Sequence, residues 1–147
     1  MEQRIDFSKT TPAAFRAVYG LETFAQGQVD PTLLHLIKVR ASMVNECSFC
    51  VDMHTTDALK DGETTQRLFG LAAWSESPFY DERERAALAL TDAVTLLGRG
   101  GVPDDVWDAA VAQFGAEDTA HVLLAIGMIN LWNRLMIATR RQPEVAG

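Results

Sequence analysis

From residue 30 onward, apolar side chains recur at steps of three and four, the period that lines one face of an α-helix. Asp30-Pro31 reads as a helix start, since Asp caps free amides and Pro suits the first turn. Leu33, Leu34, Ile37, Ala41 and Val44 follow as an apolar stripe, opposite a polar line of His35, Lys38, Ser42 and Asn45. A second helix is expected to begin around Glu46 to Ser48 and to end at Gly62, with a short segment from Glu63 to Leu71 after it. Asp81-Glu82-Arg83-Glu84 has the form of a capping box. The helix it opens carries Leu88, Leu90, Ala93, Val94 and Leu97 before Gly98 stops it. Val106, Trp107, Ala110, Val111 and Phe114 line the next helix, and Gly115 separates that from a last one, about 116 to 139, apolar almost all round its middle. Such a helix belongs at the centre of a bundle or in a subunit contact. No alternating strand pattern of useful length interrupts this series. The expected fold class is all-α, a single domain over 1–147.

Composition narrows the functional classes. The 147 residues are 48% hydrophobic and 22% charged, ordinary values for a globular chain long enough to bury a core. The net charge is −7 and the basic residues are scattered, which argues against a nucleic-acid partner, because phosphate binding needs clustered cations. The opening residues, Met1 to Asp6, lack the basic-then-apolar pattern of a secretory signal, and the apolar run Val122 to Met128 is too short to cross a bilayer. A cytoplasmic protein without membrane association is the expectation. In that reducing setting two cysteines three apart suggest redox chemistry or metal binding before a static disulfide.

The chemistry concentrates in Cys47-Ser48-Phe49-Cys50 and His54. Positions i, i+3 and i+7 of a helix share one side, and Val51 and Ala58 are expected on the same stripe. A helix N-terminus stabilises a thiolate through free amides and partial positive charge. A second thiol one turn away can capture an oxidised first sulfur as a disulfide. An imidazole a turn beyond Cys50 can take or return the proton. Two other readings stay open at this point. Cys47, Cys50 and His54, with His35 or His121 as a fourth ligand, could form a tetrahedral zinc site of a structural module. A catalyst that needs neither sulfur, such as a cofactor-free decarboxylase or isomerase, would keep its activity when both cysteines are replaced.

With these residues in view, the sequence resembles the AhpD-like alkylhydroperoxidase and carboxymuconolactone decarboxylase superfamily over roughly residues 31–140. The resemblance is carried by 36–42 (Leu-Ile-Lys-Val-Arg-Ala-Ser), by 46–54 around the cysteines, and by Asp57-Ala58, Gly62-Glu63, Ala73-Trp74, Ser77-Pro78, 82–88 and 129–134. It implies an AhpD-like helical bundle that assembles into homo-oligomers, as trimers or hexamers. It also implies a peroxiredoxin-type thiol peroxidase with an antioxidant role, needing no cofactor or metal. Its partners would be a hydroperoxide substrate and a dithiol reductant protein or small thiol. Carried over, Cys47 and Cys50 match the redox pair, His54 matches the proton-relay histidine, and Cys50 is the favoured attacking sulfur. The pattern places a glutamate twelve residues before the first cysteine, where this chain has His35, and a histidine before the second, where it has Phe49. His35 is therefore a candidate substitute for the relay acid, and Glu46, directly before Cys47, is a second. Asn130, Asn133 and Arg134 interrupt the apolar last helix and must find polar partners, across a subunit contact or within the fold. His121 and the three tryptophans, Trp74, Trp107 and Trp132, are expected in structural roles.

Overall fold

The computed structural model describes residues 1–145 and is helical throughout, with no strand among the described residues. Its helices are α1 (Phe7–Thr10), α2 (Pro12–Gln26), α3 (Pro31–Val44), α4 (Ser48–Lys60), α5 (Thr65–Gly70), α6 (Glu82–Thr95) and α7 (Asp104–Thr139), with a 3-10 turn at Leu71–Ala73. The expected starts are where the side-chain chemistry put them. Asp30 accepts from the Leu33 amide, and Asp81 and Glu84 form a reciprocal capping box. Helices α1 and α2 lie before the segment in which the apolar periodicity is strong.

Helix α3 is the axis of the fold because it is buried on both sides. Leu33, Ile37 and Ala41 join Ala87 and Leu90 of α6 and Ala110, Val122, Ile126 and Ile129 of α7 in one core cluster. Leu36 and Val39 turn the other way, to Ala58, Leu68, Leu71, Tyr80 and Leu88. Helix α6 packs along α7 and also against α3, which is why its inward positions include Ala86, Ala87, Leu88, Leu90, Thr91 and Thr95. Leu97, expected on that inward face, lies past the helix end and is exposed. Trp107 is likewise 40% exposed rather than a core anchor.

Helices α3 and α7 complete the arrangement. The polar line of α3 does not face solvent: Lys38 is 6% exposed and Ser42 is fully buried. The α7 span is broken, as expected, at Gly115, whose φ of 76° and ψ of 171° lie outside the helical region and only glycine adopts without strain. The span is long and apolar enough to cross a membrane by length and composition, but Val122, Ala125, Ile126 and Ile129 of that stretch are core residues of the bundle. Asp92 ties the 3-10 region down, accepting from Arg40 at 2.7 and 2.8 Å and from the Trp74 indole at 2.9 Å.

Candidate functional site

The site is built at the corner between α3 and α4. Helix α3 ends with Asn45 as its cap and Glu46 in the left-handed region, φ 57°. The Glu46 amide donates to the Met43 carbonyl and the Cys47 amide to the Ser42 carbonyl, the paired bonds of a Schellman closure. The position usually taken by glycine is here a glutamate. Cys47 thus completes the end of α3 and is also the N-cap of α4, which begins at Ser48. The corner is locked from α7. Asn45 Nδ2 donates to Asn130 Oδ1 at 2.9 Å and to Asn133 Oδ1 at 2.8 Å, and Asn133 Nδ2 donates to Ser42 Oγ at 3.0 Å. Arg134 donates to the Asn130 carbonyl and to its Oδ1 at 3.0 and 2.9 Å. The polar group in the apolar helix therefore finds its partners within this chain, where it holds the loop that carries Cys47.

Cys47 and Cys50 are joined as a disulfide with 5.3 Å between Cα atoms, and both are almost fully buried. Cys50 and His54 line a cavity of about 740 Å³. Aromatic rings form one wall: Phe15 stacks on Tyr19 at 5.9 Å and meets Trp132 edge-on at 5.8 Å. Phe49, standing where a family histidine was expected, lines the same space beneath the Arg141 guanidinium, 5.4 Å from the ring centroid. Val51, expected with the sulfurs, instead borders a second, shallower concavity with Met43, Ser48, Asp52 and Thr55.

His54 is the strongly perturbed group. Burial pushes its pKa down from 6.5 to about 4, and the Lys38 ammonium adds to this; the carboxylates of Glu22 and Asp57 pull the other way, and His35 lowers it slightly. At neutral pH the ring is uncharged and free to accept a proton.

The other sequence candidates separate cleanly. His35 is half-buried on the cavity wall, with Nε2 2.7 Å from Asp61 Oδ2 at the end of α4. Glu46 is exposed and borders the second concavity, not the cavity that Cys50 and His54 line. Its place in the left-handed C′ position of α3 gives it a backbone task, and it is not a first-turn residue of α4. His121 stands edge-on to Phe24 and 3.6 Å from Asp118, well separated in role from the cysteines. Among the described residues no three His, Cys, Asp or Glu side chains converge in an arrangement that could hold a metal. A zinc set drawn from the two cysteines, His54 and another histidine is thus not assembled.

What the sequence pattern did not reveal is Glu22. It is buried and lines the same cavity, and Lys38 and Gln26 donate to its Oε1 while the Trp132 indole donates to Oε2 at 3.1 Å. These bonds and the Lys38 charge outweigh its burial and hold its carboxyl below the usual range. The only early signal was a glutamate with apolar Leu21 before it and Phe24 two residues after, which is weak evidence of burial.

Comparison with known proteins gives a consistent picture. The sequence model of the carboxymuconolactone decarboxylase family matches residues 10–93, starting earlier and ending sooner than the 31–140 span of the resemblance. The uncharacterized protein YdfG of Bacillus subtilis is 39% identical over 94% of this chain and 95% of its own. The crystal structure of ATU0492 from Agrobacterium tumefaciens superposes with a TM-score of 0.95 at 42% identity, covering 99% of this chain and all of that one. ATU0492 is described as of unknown function and as a candidate antioxidant defence protein, AhpD. The debrominase Bmp8, solved with 2,3,4-tribromopyrrole, shares the fold at TM-score 0.83 and 20% identity, over 93% of this chain and 74% of its own.

Proposed function

We propose, for a chain that belongs to the carboxymuconolactone decarboxylase family and has the AhpD-like fold, that its activity is thiol-dependent reduction of hydroperoxides. The observation that carries this reading is the pairing of Cys47 with Cys50 while Cys50 lines a cavity together with the buried His54.

In the dithiol form His54 accepts the proton of Cys50. The thiolate so formed raises the proton affinity of the ring beside it, since opposite charges stabilise each other. Cys50 Sγ attacks the distal oxygen of the hydroperoxide: an S–O bond forms, the O–O bond breaks, and the alkoxide leaves as alcohol with the proton from His54. The Cys47 thiol then attacks the sulfenic sulfur, forming the S–S bond and releasing water. Two electrons have left the protein, and a dithiol reductant returns them by thiol–disulfide exchange. Cys50 is the attacking sulfur in this scheme because it is the one on the cavity wall; Cys47, at the helix cap, resolves. Assembly into a homo-oligomer would cover outward apolar residues such as Leu131 and Ile137 of α7, each more than a third exposed.

Intact-mass measurement of the reduced protein before and after one equivalent of peroxide tests the cycle. A loss of about two daltons, reversed by a dithiol, is expected from closing one disulfide. With Cys47→Ser, a sulfenic-acid probe should label Cys50; labelling of the Cys50→Ser protein alone would reverse the assignment of the two sulfurs. Turnover of an organic acid substrate that survives replacement of both cysteines would replace this reading with the decarboxylase or isomerase one.

A further inference from the structure

We propose that the cavity beside Cys50 takes a ring-bearing organic acid, whose apolar body lies against Phe15, Tyr19 and Trp132 while Arg141 at the rim holds its carboxylate. The inference rests on the reading of Cys50 as the attacking sulfur. It narrows the substrate of that reading to an aryl hydroperoxide that carries an acid group.

The apolar half of the site is surface that the packing of the bundle does not use. Neither hydrophobic core includes Phe7, Phe15, Tyr19 or Phe49, and Trp132 only flanks one of them. All five rings line the cavity. Phe7 meets Phe15 edge-on at 6.5 Å, and Phe15 in turn touches Tyr19 and Trp132. Tyr19 is 58% exposed, and Met53, one turn from Cys50, is 38% exposed. Open apolar surface gathered in one concavity marks a binding site. A cavity of about 740 Å³ matches a small organic ligand, whereas hydrogen peroxide needs little more room than a water molecule. Aromatic walls favour a ring over a chain, because stacked and edge-on contacts add to the gain from burial.

The polar half follows from which charges are already matched. Of the cations on the cavity, Lys38 pairs with Glu22, and Lys60 with Asp57 at 3.4 Å. The other carboxylates are engaged too, Asp61 by His35 and Asp6 by Ser8 and Lys9. Arg141 is the cavity cation with no carboxylate partner among the described residues, and its guanidinium donates only to Gln3 Oε1, at 3.4 Å. Its backbone is fixed. Arg140 takes the left-handed position at the end of α7, φ 60°, and the Arg141 amide donates to the Met136 carbonyl. The guanidinium stands 5.4 Å from the ring centroid of Phe49, the residue before Cys50. A guanidinium with free donors takes a carboxylate through two parallel bonds. An acid held there has its body against the wall that carries Cys50. The distal peroxide oxygen passes to Cys50 Sγ, the O–O bond breaks, and the product leaves as the corresponding hydroxy acid.

The test is calorimetric titration of the disulfide form, in which no peroxide chemistry runs, with para-isopropylbenzoate and with para-isopropylbenzamide, its uncharged equivalent. The acid is expected to bind about tenfold more tightly, the low end for a charge-assisted bond because Arg141 is open to solvent. Arg141→Gln should weaken the acid to the level of the amide, and Arg141→Lys, which keeps the charge and loses the fork, should retain part of the preference. Tyr19→Ala should weaken acid and amide alike. Equal affinities in wild type, a preference that persists in Arg141→Gln, binding untouched by Tyr19→Ala, or no binding of either ligand would overturn the inference. In the reduced protein, para-carboxycumene hydroperoxide should close the disulfide about ten times faster than cumene hydroperoxide at equal low concentration. Closure by both at one rate would overturn the inference and keep the peroxidase reading. The expected binding pattern with no closure by either hydroperoxide would keep the acid site and remove the peroxidase reading instead.

Discussion

An imidazole held proton-free by burial makes the whole fold sensitive to mild acid, and the size of that effect follows from the site. In the unfolded chain His54 titrates near 6.5, and in the folded protein near 4. Between these values the unfolded state binds the extra proton, so stability rises with pH there and falls as pH is lowered. The contribution is intact above the unfolded value, is eroded as pH drops below it, and is fully lost once pH passes the folded one. Integrating between about pH 7 and about pH 5 gives a loss of about 2 kcal/mol from this single group, and carrying the change to lower pH gives about 3 kcal/mol in all. The ring is 9% exposed, so solvent screening reduces these figures little. Urea unfolding of wild type and His54→Gln at the two pH values isolates the effect, since acidic groups such as Glu22, whose carboxyl is held low by its partners, act alike in both proteins. The wild type should lose about 2 kcal/mol more than the variant on going to the lower pH. Equal losses would mean that His54 is charged in the folded protein, and the proton-acceptor role would fall with that result.

Four other outcomes follow from the packing and the corner. Gly115→Ala should destabilise by about 2 kcal/mol in thermal or urea unfolding, although a methyl group there would touch nothing, because the cost lies in the backbone angles alone. Glu46→Gly should leave the His54 titration unchanged and hold or raise stability by up to about 1 kcal/mol, the left-handed position suiting glycine. Asn133→Ala should cost about 2–3 kcal/mol by urea unfolding, since it takes the donor from the fully buried Ser42 and one of two acceptors from Asn45. Asp92→Ala, which frees both Arg40 and the Trp74 indole, should cost about 2 kcal/mol and raise amide exchange in the 71–74 turn.

The elements whose signals are local were legible in the sequence. The capping box at Asp81, the start at Asp30-Pro31, the glycine at 62 and the break at Gly115 each depend on residues a few positions apart, and all stand where that chemistry puts them. The Cys47, Cys50 and His54 set was visible for the same reason. The burial of Lys38 and Ser42 was not legible, because a helical pattern tells which residues share a face, not what the face meets. Their partners, Glu22 and Asn133, lie 16 and 91 residues away, and only tertiary packing brings them together. Helix α2 was overlooked through the same limit: its outer face carries Tyr19, Leu21 and Phe24 in the open, which blurs the periodicity.

Helix α3 deserves one further thought for anyone reshaping this protein. A single fourteen-residue rod supplies hydrophobic anchors to both core clusters, the buried lysine that pairs with Glu22, and the arginine that clamps Asp92. Cavity lining and core packing are therefore neighbours on one helix, Leu34, His35 and Lys38 alternating with Leu33, Leu36 and Ile37, so an alteration aimed at one will be felt by the other. The opposite wall, where Phe15 and Tyr19 of α2 and Met136 of α7 border the cavity without belonging to either cluster, is the place where the two properties come apart.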